Sequence, residues 1–147
     1  MTFAAPSLDQ AFALRVNAGI GELAGHERFA AASPDLVEAI VEGAGAFAAG
    51  EFAPLNRLGD TQGARLENGV VRLPDGFAQA YGAYVDQGWN AVAGPEEFGG
   101  QGLPFSLAVC VLECLGTANL GFSLLPMLTV GAIEAIEKHG SDAQKAT

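Results

Sequence analysis

One stretch constrains the fold of this chain more than any other: Pro95-Glu96-Glu97-Phe98-Gly99-Gly100-Gln101-Gly102-Leu103-Pro104. Its glycines permit positive φ and close backbone approach, while the bracketing prolines bar a helix from running through. Apolar residues recur at helical spacing on both sides. The chain must therefore fold as two groups of helices joined by this loop.

The segments before the loop carry their own punctuation. Ser7-Leu8-Asp9-Gln10 has the form of a capping box. Leu8, Phe12, Val16, Ile20 and Leu23 follow at helical spacing, and Gly25 is the expected stop. Ser33-Pro34-Asp35 starts a second helix, whose apolar face is Leu36, Val37, Ile40, Val41, Ala44, Phe47 and Ala48. This helix is expected to reach about Phe52 and to be ended by Pro54. Residues 53–74 then read as an extended connector, with Asn68-Gly69 as a turn beside a short strand at Val70-Val71. A third helix spans Pro74 to Gln87, with Phe77, Tyr81, Tyr84 and Val85 on one stripe and Gly88 as its stop.

Beyond the loop, residues 103–115 form a fourth helix that is apolar on nearly every side, the pattern of a helix buried by its neighbours. Gly116 to Asn119 breaks the periodicity, and a fifth helix runs to about His139. Ser141-Asp142-Ala143-Gln144 is another capping box, opening a helix that the sequence leaves after about one turn. The chain is therefore expected to be part of something longer. The fold class expected is all-α: a bundle of about five helices, with the glycine loop between the third and fourth.

Composition narrows the function classes. At 147 residues, half of them apolar, the chain can bury a core. Its formal charge of −10, from 17 acidic and 7 basic residues, argues against nucleic acid or an anionic membrane as partner. Cys110 and Cys114 lie one helical turn apart in an apolar run, which suits buried free thiols better than a disulfide or a metal site. No metal ligand set is expected. The N-terminus lacks a basic segment followed by an apolar core, so no signal peptide is expected and a reducing, cytoplasmic location is consistent with the cysteines. The longest apolar run, Leu120 to Ile133, contains Pro126 and is short for a membrane span. One function class open at this point is a stand-alone acidic helical module that binds a protein partner.

The order of elements, with Ala53-Pro54-Leu55-Asn56, GWNAVAGPEEFGGQGLP, LECLGTANLGFSL and KHGSDAQK, resembles the N-terminal helical domain of FAD-dependent acyl-CoA dehydrogenases. The extra helix before Ser33 and the APLN segment are most similar to the longer subgroup that includes 3-methylmercaptopropionyl-CoA dehydrogenases. The resemblance implies an N-terminal extension over residues 1–32 and the family's helical domain over 33–147, truncated at its C-terminal end. It implies FAD, an acyl-CoA substrate, α,β-desaturation, electron-transfer flavoprotein as acceptor and a homo-oligomer when complete. It also implies that the catalytic base and most flavin contacts lie outside this chain, so no catalytic residue is expected here. The adjacent carboxylates Glu96 and Glu97 read as solvated loop residues. The positions matching the family's acyl-chain tunnel are Phe122, Ser123, Pro126 and Val130; core packing is the competing role for each.

Overall fold

The computed structural model describes residues 3–146 and is helical with one small hairpin. Helix α1 spans Ser7–Val16 and α2 Ile20–Leu23. The capping box expected at Ser7 does not form: Ser7 is already helical, Pro6 precedes it, and no side chain caps the end. Gln10 turns inward instead, and it is buried along with Leu14. Leu8, Phe12 and Val16, the expected inner stripe, are exposed. Both stripes have helical spacing, and only the neighbouring helix decides which one packs. The single long helix expected here is also broken: a turn through Gly19, at φ 59°, leads into the short α2.

Helix α3 runs Pro34–Phe47, with Pro34 in its first turn and the Ser33 hydroxyl accepting from the Leu36 amide at 3.3 Å. Its buried side is Val37, Ile40, Val41, Ala44 and Phe47. Pro54 does not end this helix. A π-turn, Ala48–Phe52, leads directly into α4, Ala53–Gln62, with Pro54 in the first turn of α4. The missing proline N–H costs nothing where a new helix begins, and the widened turn before it gives the ring room. The connector expected over residues 53–74 is thus half helix. Its second half is the hairpin β1 (Arg65–Glu67) and β2 (Val70–Arg72), turned by Asn68 and Gly69 at φ 52° and 78°.

Helix α5 spans Phe77–Asp86, α6 Phe105–Ala118, α7 Leu120–His139 and α8 Asp142–Lys145. The core lies where α3, the π-turn, α5, α6 and the first half of α7 meet. Phe52 and Phe122 stack there, with Phe77 4.7 Å from Phe122. Helix α6 buries Leu107, Val111, Cys114 and Leu115, but Phe105 and Val109 are exposed, so it is not covered all round. Only Asn119 separates α6 from α7. Its side chain accepts from the Phe122 amide, capping α7, and donates to the Phe52 carbonyl.

The apolar segment beginning at Leu120 is buried on one side only. Within α7 only Phe122, Ser123 and Pro126 are buried, while Leu120, Leu124, Leu125, Met127 and Leu128 are exposed. By length and composition alone α7 could cross a membrane; one side of its first half, Phe122, Ser123 and Pro126, is buried, and its end carries Glu134, Glu137 and Lys138. The capping box at Ser141 forms as expected, with Gln144 reaching back to the Ser141 amide. Cys110 and Cys114 are free and buried.

Candidate functional site

The glycine loop is a closed structure. Consecutive amides from Gly99 to Leu103 donate in turn to the carbonyls of Glu96, Pro95, Ala91, Gly94 and Val92. Segments 91–94 and 100–103 are thereby laid against each other, and a Cβ on Gly100 would collide with the Gly94 carbonyl. The Gln101 side chain donates to the Gly88 carbonyl at 2.8 Å. A loop that cradles phosphate keeps several N–H groups free and convergent; this one spends them on itself. Gly100 serves backbone approach, Gly99 and Gly102 hold positive φ, and Glu96 and Glu97 are exposed, with the Glu96 side chain lying over Gly102.

The loop and the segment before it form one wall of a cleft of about 360 Å3. Its lining includes Trp89, Val92 and Gly94, Leu112 of α6, and Val130 and Ile133 of α7. Tyr84 reaches it from α5, where burial pushes its phenol up to about 12. Arg28, Glu134, Glu137 and Lys138 line its polar part, and Lys138 pairs with Glu134. A second hollow of about 310 Å3 adjoins it, sharing Asn90, Gly94, Ile133 and Glu137, with Phe98 and the loop glycines on its wall.

Of the residues matched to the acyl tunnel, only Val130 borders this cleft. Phe122 lies between Phe52 and Phe77 in the core. Ser123 donates to the Leu120 carbonyl at 2.9 Å, and Pro126 is fully buried. The structure therefore groups Val130 with Trp89, Leu112 and Ile133, which sequence reasoning did not single out. Trp89 sits in a connector, and nothing in the local pattern says that it borders a cleft while its indole packs on Phe47 of α3. Among the described residues no group of three or more His, Cys, Asp or Glu side chains is placed to hold a metal ion.

The sequence model of the acyl-CoA dehydrogenase N-terminal domain matches residues 35–147. The chain belongs to the acyl-CoA dehydrogenase family. Among its relatives is the 3-methylmercaptopropionyl-CoA dehydrogenase of Ruegeria pomeroyi, 41% identical over 146 residues. That alignment takes in 99% of this chain and 25% of the relative, so the chain spans about a quarter of its length. The glycine loop and α7 lie within the region matched to the acyl-CoA dehydrogenase domain, as does the cleft apart from Arg28 and Phe29. Helix α1 lies outside that region, yet it packs on α3 and α6 as part of the same body.

Proposed function

We propose that the chain is the N-terminal helical part of a flavin-dependent acyl-CoA dehydrogenase that desaturates an acyl-CoA thioester between its α and β carbons. In this reading the part described here shapes the acyl-chain pocket and carries no catalytic residue. The observation that carries the proposal is the cleft itself. Its apolar walls, Trp89, Leu112, Val130 and Ile133, suit a hydrocarbon chain, and its polar part holds Arg28 and Lys138 beside two glutamates. Val130 is proposed to touch the acyl chain. Phe122, Ser123 and Pro126 are proposed to act on the pocket by fixing the helix that carries Val130.

FAD is the proposed cofactor of the complete protein. The glycine loop does not fit it as a cradle, since the loop's amides bond internally. We place the flavin, the catalytic base and the contact with an electron-transfer flavoprotein on the remainder of the protein, in a cytoplasmic homo-oligomer. Residues 1–32 are an extension of the family's domain in this reading, and 33–147 the domain itself. The exposed apolar side of α7, from Leu120 to Leu128, is the surface that the remainder would cover. The relative's name specifies a CoA thioester, and that substrate class is what we carry over.

The test is Val130→Phe in the complete protein, with kcat/KM measured along a series of acyl-CoA chain lengths. Each methylene excluded from an apolar pocket loses about 0.8 kcal/mol of transfer energy, a few-fold in specificity. Activity on long chains should fall while short chains and flavin content are spared. A parallel fall at every length would remove Val130 from the pocket.

A further inference from the structure

The hairpin β1–β2 takes no part in the cleft, and every residue from Ala64 to Leu73 is exposed. Leu66 is 74% and Val71 63% exposed, on the same face of the ladder. On the other face Arg65 stands directly opposite Arg72, a like-charge pairing that weakens a ladder. A lone hairpin is marginal in water. The two-residue turn makes Glu67–Val70 the hydrogen-bonded pair that closes the hairpin, so Leu66–Val71 is the next, non-hydrogen-bonded pair. The Leu66 N–H and C=O therefore point away from β2, out of the free edge of β1.

We propose that β1 pairs antiparallel with β1 of a second copy of this chain, about a two-fold axis through Leu66. The sequence Arg65-Leu66-Glu67 is charge-complementary to itself when reversed. With the axis at Leu66, each Arg65 faces Glu67 of the other copy, twice. Those become the closely spaced, non-hydrogen-bonded pairs, while the two Leu66 residues exchange their free N–H and C=O groups. Glu67 of the second copy also lies next to the Arg65–Arg72 pair and offsets its repulsion. On the opposite face the two Leu66 and two Val71 side chains line up into one apolar strip across four strands. Moving the axis to Arg65 or to Glu67 sets like charges together, so charge fixes the register. The contact is isologous, as closed dimers require. It does not depend on the chemistry proposed above.

The test uses four forms of the full chain in sedimentation velocity over a concentration series: parent, Arg65→Glu, Glu67→Arg and the double swap. All substitutions are at exposed positions, and circular dichroism checks that the fold is kept. The parent and the double swap should dimerise alike. Each single variant should lose the dimer, and an equimolar mixture of the two single variants should regain it, because their charges then complement. Leu66→Cys, on the axis, should give a disulfide-linked dimer on mild oxidation. The proposal is overturned if all four forms associate identically, or remain monomeric throughout, and Leu66→Cys gives no covalent dimer.

Discussion

The Asn119 side-chain amide donates to the Phe52 carbonyl at 3.2 Å, tying the end of the π-turn to the one-residue break between α6 and α7. The same side chain accepts from the Phe122 amide at 3.1 Å. Two irregularities far apart in sequence thus satisfy each other through one residue. Asn119→Ala should remove the cap and the bond to the Phe52 carbonyl, about 1 kcal/mol each. Urea unfolding should show a lower midpoint with an unchanged slope. A midpoint equal to the parent's would mean that water replaces the side chain at no cost.

Gly100→Ala is expected to destabilise by about 1–3 kcal/mol or more, because the added Cβ meets backbone at Gly94 and not a side chain that can rotate away. Gly131, with open space around its Cα, provides the control. Gly131→Ala should be neutral or slightly stabilising in its helix. Melting temperatures of the two variants should therefore move apart.

Gln10 holds α1 on the bundle through α6. Its amide nitrogen donates to the Glu113 carboxylate at 2.7 Å and the Cys110 carbonyl at 3.3 Å, and its oxygen accepts from the Cys114 thiol at 3.4 Å. Gln10→Ala should cost about 1–3 kcal/mol and loosen α1 more than the rest. Limited proteolysis should then cut near Gly19 at a protease level that spares the parent. Equal resistance would show that Leu14 alone holds α1 in place.

Burial, then the nearby Glu113 carboxylate and the Cys114 thiol, push the Cys110 thiol up from 9.0 to about 11. Burial likewise raises Cys114, and Tyr84 rises from 10.0 to about 12. The unfolded chain therefore releases these protons first. Stability should be unaffected by them below about pH 9 and fall as pH rises toward 11–12, by roughly 1.4 kcal/mol per pH unit for each group in its window. Urea midpoints at a series of pH values from 8 to 11 check the sign. The same burial predicts that neither thiol reacts with a disulfide reagent near neutral pH until denaturant is added. Fast native labelling would contradict it.

What the sequence disclosed was local chemistry. The Ser33 cap, the Ser141–Gln144 box, the Asn68-Gly69 turn and the glycine loop all form where their residues stand. The first three depend on atoms a few positions apart, and the loop on bonds within its own segment, such as Leu103 to Val92. What it concealed depended on partners far along the chain. Gln10 faces inward because α6 offers it partners about a hundred residues away. Leu8, Phe12 and Val16 face outward for the same reason. Pro54 reads as a stop unless the π-turn before it is known. Val130, a position the family likeness points to, borders the cleft, as do Trp89 and Leu112, which no local pattern in the sequence singles out.

The closed loop has a consequence for how such chains can diverge. Its bonds from Gln101 to Ala91, Gly102 to Gly94 and Leu103 to Val92 fix a count of residues as well as a shape. Side chains that point outward, as at Glu97, are free to vary. An insertion or deletion between Ala91 and Leu103 would unlatch the whole ladder and change the spacing of Trp89 from α6. The segment is tolerant of spelling and intolerant of length, like a gauge block set between two halves of a mechanism.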